Sequence, residues 1–149
     1  DPMTRAQVTA TIVRMLAIYD PSATNSFNDV HAMDWFYSVV STATRQGIIT
    51  GTSATTFAPH AHMAREQLLA VTARILHLEM GYAFPANPAV WLADFIDGGD
   101  ITTAYRAPVA LATRENLPLL RADLQLLPQE TITRGEAALL LHRLYQRLW

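Results

Sequence analysis

The chain has 149 residues, half of them hydrophobic and only 16% charged, which is enough apolar material for one domain or a compact set of repeats. A net charge of −2 excludes a global attraction to nucleic acid or to an anionic membrane, and no apolar run approaches the ~18 residues of a transmembrane segment. Absent cysteine excludes disulfides and thiolate metal sites, and because all eleven basic residues are arginine, every cationic site is a planar fork suited to carboxylate or phosphate.

The chain begins at Asp1-Pro2, directly ahead of a helix, and no leader is legible, so a piece of a longer protein is expected. The first element is "MTRAQVTATIVRML" at 3–16. Its apolar positions Val8, Ile12 and Leu16 are spaced by four, which is a helical period. Thr4 with Gln7 forms a capping box, the hydroxyl accepting from one amide and the amide oxygen reaching back to another. A second helix is expected over Trp35 to Gln46, followed by an irregular loop containing Gly47, Gly51 and Ser53. A third helix starts at "MAREQLLAVTARIL", 63–76. Ala64 stands there in the capping position, so that cap should be weaker by ~1 kcal/mol. "GYAFPANPAVWLADF" reads as a Pro- and Gly-rich loop with apolar anchors. A fourth helix is expected over Thr102 to Glu115, then a loop, then "ITRGEAALLLHRLY" at 132–145 with the capping pair Thr133 and Glu136.

The three arginine-led helices repeat one another. Aligned on Arg5, Arg65 and Arg134, each has a second arginine nine residues on, at Arg14, Arg74 and Arg143. Upstream, Phe27 and Asp29 match Phe95 and Asp97, and Pro59 falls on Pro128. These units predict an all-α chain in which each repeat is a short helix, a loop and an arginine-led helix. The three arginine-led helices are expected to pack together through Val8, Ile12, Leu68, Ile75, Leu140 and Leu144.

The middle unit resembles the S-layer homology (SLH) family, whose pattern is met here by Phe27, Asp29, Val30, Trp35, Ala43, Gly47, Ile48, Ile49, Gly51, Phe57, Pro59 and "MAREQ" at 63–67. The last unit is a degenerate copy and the first only the tail of one. The resemblance implies a single pseudo-threefold domain over 1–149, with the tail of motif one at 1–20, motif two at 25–80, a linker at 81–94 and motif three at 95–149. It implies an exported, extracellular protein held non-covalently at the cell wall or S-layer. The ligand so implied is an anionic secondary cell-wall polysaccharide, pyruvylated in some lineages, or modified peptidoglycan, bound in a groove between adjacent motifs by the arginine of the T-R-A-E element. The alternative is a protein-interaction or assembly module on a decayed SLH scaffold.

Independently of that resemblance, Arg5, Arg65 and Arg134 stand at helix N-termini, where amides, the positive dipole end and a guanidinium favour an anion. They are also readable as solvated first-turn residues, against which stands the helix dipole that a cation there opposes. Gly51 and Ser53 either form a turn or admit a sugar close to the backbone. Trp35 is core or a stacking platform. The candidate glycan site is therefore Arg65, Arg5, Gly51, Ser53, Trp35 and Arg134. Arg65, Gly51, Ser53 and Trp35 are expected to border one groove.

No catalytic or cofactor constellation is legible: "GTSAT" lacks the second glycine of a nucleophile elbow, and no phosphate-binding glycine loop is present. His60 and His62 lack a third metal ligand, and "DFIDGGD" lacks EF-hand spacing. The expectation is a non-enzymatic module without cofactor or metal. In motif three, Asn116 and Leu120 replace two glycines and Leu126 replaces a phenylalanine; losing both glycines is expected to reshape that loop, because leucine tolerates positive φ poorly, and Arg134 to contribute less than Arg65. The missing front of motif one leaves either an exposed apolar surface or a place for a second copy in a homodimer.

Overall fold

A computed structural model describes residues 1–118 and 124–149; Leu120 lies outside them. The chain is all-α, with helices α1 (Arg5–Leu16), α2 (Tyr37–Arg45), α3 (Arg65–Met80), α4 (Pro88–Leu92), α5 (Arg106–Arg114) and α6 (Arg134–Leu148). Two short 3₁₀ turns, Gly98–Asp100 and Thr103–Tyr105, precede α5. Among the described residues extended pairing is confined to two isolated antiparallel bridges, Thr4 with His62 and Ala64 with Thr131. The helix starts fall one residue after Thr4, Ala64 and Thr133, where the sequence puts the caps.

The cap chemistry follows the side chains. Thr4 accepts from the Gln7 amide, and the Gln7 side chain accepts from the Thr4 amide, at 3.2 and 3.0 Å. Thr133 and Glu136 do the same. At α3 only half the box survives: Gln67 reaches back to the Ala64 N–H at 2.9 Å, and the methyl of Ala64 offers no acceptor. The linker departs from the sequence expectation, since Pro88 at the first helical position starts a one-turn helix, α4, that buries Leu92.

The chain divides into two compact units, Pro2–Met63 and Ala64–Trp149 with Asp1. That boundary falls inside the middle motif. In the first unit α1 packs on α2. Val8, Ile12, Val13, Val40 and Phe57 are buried in its core. The buried Thr42 hydroxyl of α2 holds the connecting segment by accepting from the Asp20 amide at 3.1 Å. In the second unit α3 packs on both α5 and α6, and α4 lies on α5. Leu68, Ile75, Leu76, Val109, Leu111, Leu126, Leu140 and Leu144 form its core. All six helix positions expected to be buried are buried.

Candidate functional site

Each unit contains a loop clasped by the arginine of a helix mouth. In the first unit the Arg5 Nε–H donates to the Phe57 carbonyl and an Nη2–H to the Thr50 carbonyl, both at 2.8 Å. The guanidinium carbon lies 4.7 Å from the Phe57 ring centroid, a cation–π distance. On the same loop Asp29 accepts from the amides of Phe57 and Ala58, at 2.9 and 2.8 Å. Burial works against the ionised Asp29 carboxylate. The two amide hydrogen bonds outweigh it and hold its pKa below the usual carboxylate value. The pair of clasps stabilises Ala58 in the left-handed region, at φ 57°, which a residue with a Cβ adopts only when its surroundings fix it.

The second unit repeats the device. The Arg65 Nε–H donates to the Leu126 carbonyl at 2.7 Å, and the guanidinium pairs with the Glu136 carboxylate. Asp97 accepts from the amides of Leu126 and Leu127, at 2.9 and 2.8 Å. Leu127 takes φ 53°, as Ala58 does in the first unit. Leu126, in the phenylalanine position, is as fully buried as Phe57. Asn116 takes φ 59° where Gly47 takes 75°. Each ends its helix in a Schellman arrangement, with Ile48 N–H on Ala43 and Leu117 N–H on Ala112. Asparagine enters the left-handed region at little cost, so Asn116 keeps the helix ending of the glycine position it occupies, and Leu126 fills the aromatic's place in the core. The reshaping expected at Leu120 lies outside the described residues.

The helix mouths are closed by the chain itself. The Arg5 and Ala6 amides donate to the carbonyls of Ala61 and Pro59, and the Arg65 and Glu66 amides to those of Glu130 and Pro128. At α6 the Arg134 amide donates to Asp1. Arg5 and Arg65, expected as outward-facing anion hooks, are each only 5% exposed, because the carbonyls of their loops draw both guanidinium groups inward. Arg134 is exposed, and among the described residues its guanidinium has no hydrogen-bond or ion-pair partner.

The remaining candidates sort by unit. Gly51, Ser53 and Trp35 lie in the same unit as Arg5, whereas Arg65 and Arg134 belong to the other. Gly51 is required by close approach: a Cβ there would come within 2.6 Å of the Phe27 ring and of the Ser53 and Thr56 carbonyl oxygens. The space a side chain would need there is filled by the protein's own atoms. Ser53 Oγ accepts from the amides of Thr55 and Thr56, shaping the exposed loop tip. Trp35 is 61% exposed, its edge against the buried Phe36 ring, so of the two alternatives the structure favours a surface aromatic.

Residues 26–69, from the first unit into α3, match the family described as S-layer homology domain. This segment is an S-layer homology domain. The SLH pattern thus covers Asp29, the clasped loop and the Arg65 helix start in one stretch. SLH domains are cell-surface modules that bind cell-wall polymers. Across 97% of its length the chain is 28% identical to an amylopullulanase of Thermoanaerobacterium thermosulfurigenes. It is 25% identical, again over 97%, to the exoglucanase XynX of Acetivibrio thermocellus. Over 93% it is 29% identical to an endoglucanase of a Bacillus species, strain KSM-635. The chain spans only 8%, 13% and 14% of those proteins. No helix of the described residues is long and apolar enough to cross a membrane.

Two features escaped sequence reasoning. Asp29 and Asp97 were matched across units but given no role; their invariable place two residues after Phe27 and Phe95 was the available signal. Glu66, only 4% exposed, accepts from the Thr102 amide and hydroxyl at 2.9 and 2.6 Å, holding the 3₁₀ segment against α3. Nothing in its local sequence marks that long-range role.

Proposed function

We propose that this chain anchors an exported protein non-covalently to the bacterial cell wall by binding an anionic secondary cell-wall polysaccharide, pyruvylated polymers included, or modified peptidoglycan, and that it does so as a binding module rather than a catalyst. The SLH match at 26–69 carries the reading. In it, Trp35 supplies a stacking face, Ser53 the polar edge of its loop, and Arg134 an exposed cation for a carboxylate. Gly51, Arg5 and Arg65 act mainly as positioning residues, fixing the loops whose surfaces meet the glycan. A pseudo-threefold arrangement of one domain at the cell surface is part of the same proposal.

The test is co-sedimentation with purified sacculi before and after the secondary polymer is stripped chemically. Retention on native sacculi with loss after stripping supports the polysaccharide; retention on both points to peptidoglycan. No retention on either overturns the reading and favours the protein-assembly alternative. That alternative has its own support in the exposed, stacked rings of Tyr145 and Trp149, 4.7 Å apart at the end of α6.

A further inference from the structure

A pocket of about 430 Å³ opens in the second unit between α4 and the C-terminal end of α5. Trp91 and Val90 of α4 line one side, with the buried Phe95 beneath them and Asp94, Thr113 and Asn116 also in the lining. Trp91 is 40% exposed. Among the described residues the Asp94 carboxylate, the side-chain carboxamide of Asn116 and the Trp91 indole N–H have no hydrogen-bond partner. The Thr113 hydroxyl donates to the Val109 carbonyl at 2.8 Å, leaving its oxygen as an acceptor. The left-handed conformation of Asn116 ends α5 beside this lining. None of these groups has a part in the loop clasps described above.

We propose that this pocket is a subsite for one uncharged pyranose unit of a glycan. A pyranose has an apolar C–H face that packs on an indole and a rim of hydroxyl donors. The pocket offers the indole together with acceptors from Asp94, Thr113 and Asn116, which match those donors. A lone carboxylate with no cation among the lining residues repels an anion, so this subsite selects against the acidic unit that the proposed wall ligand also contains. The proposal rests on the reading of the chain as a wall-glycan binder and deepens it: acidic and neutral sugar units are met by different surfaces. The neutral unit can come from a hexosamine wall glycan or from a glucan, and the two are separated experimentally.

The test uses the full chain and three neutral probes, triacetylchitotriose, cellotriose and maltotriose, titrated while the indole N–H resonances are followed by NMR and assigned with Trp91→Phe. A saturable shift of the Trp91 resonance is expected, with dissociation constants on the order of 1 mM. Trp91→Ala, followed through the backbone amide resonances of Thr113 and Asn116 because the indole is gone, is expected to weaken binding by about tenfold, the range of a stacking contact. Because removing Trp91 also removes packing, Asp94→Ala provides the second variant. Its side chain is exposed and unbonded, so the thermal midpoint should hold while affinity falls. A preference for chitotriose assigns the subsite to the wall glycan, and a preference for either glucan assigns it to an external polysaccharide; both support a neutral subsite. No saturable shift with any probe, or pocket-amide shifts that keep the parent affinity in both variants, overturns the proposal. If sacculi retain the chain while the probes fail, the subsite falls and the anchoring role stands. If the probes bind while sacculi do not retain the chain, the subsite stands and the anchoring role falls.

Discussion

Replacing Arg5 by methionine isolates what the buried fork does. Methionine keeps most of the apolar stem and volume, so the change removes chiefly the donors and the charge. Two carbonyls, those of Phe57 and Thr50, then lose charge-assisted hydrogen bonds of 2.8 Å each. Bonds to charged groups contribute ~1.5–3 kcal/mol apiece. The Phe57 ring loses its cation, worth ~0.5–2 kcal/mol. The Thr50 carbonyl sits where water can replace the lost donor, and the terms are not independent, so the expected net loss is ~3–5 kcal/mol. Arg5→Lys should recover less than half of it, because a single ammonium cannot reproduce two divergent forked contacts. Urea unfolding followed by circular dichroism measures both. A loss below ~1 kcal/mol for the methionine variant, or full recovery by lysine, would refute the assignment of Arg5 as a clasp whose geometry matters.

Gly51→Ala should cost ~1–3 kcal/mol or more in the same assay, since the new methyl meets backbone oxygens of Ser53 and Thr56 at 2.6 Å that cannot easily move. Ala64→Ser supplies the missing acceptor at the α3 cap and should stabilise by ~0.5–1 kcal/mol; an unchanged midpoint would mean the cap is satisfied some other way. Asp29 has a depressed folded pKa, so its stabilisation is complete above the unfolded carboxylate value of ~3.9 and is lost as pH falls through the folded value. Asp29→Asn should therefore flatten the acid limb of a stability–pH profile, and an acid limb identical to that of the parent would count against the clasp. Arg134→Ala should leave the unfolding midpoint within ~0.5 kcal/mol and reduce sacculus retention, whereas loss of stability without loss of retention would remove Arg134 from the proposed glycan surface.

Local chemistry was legible in the sequence wherever it depends on neighbours a few residues apart. Thr4 with Gln7 and Thr133 with Glu136 announce their helix starts because a capping box is complete within four residues. The burial of Val8, Leu68 and Leu140 follows from helical period alone. What the sequence concealed was the direction in which Arg5 and Arg65 turn. A cation at a helix mouth reads as an outward anion hook, and only the folded loop reveals carbonyls from Thr50, Phe57 and Leu126 waiting inside. Asn116 stands where the first unit has Gly47, and only the structure shows it in the same left-handed conformation, which a short amide side chain tolerates. Gly51 is legible as a turn residue, but its contact with Phe27, 24 residues earlier in the chain, is not.

The clasps also set an order of events during synthesis and refolding. Arg5 is separated from Phe57 by 52 residues and Arg65 from Leu126 by 61. Each helix must therefore exist, or wait, for the whole of the intervening chain before its guanidinium meets the carbonyls it will hold. Closing such a long segment carries an entropic cost that local helix formation does not, so the helices should gain protection from hydrogen exchange well before the loops do. An arginine left waiting in this way keeps its charge in water until the last step, and the loop surfaces assume their final shape only when that charge is buried.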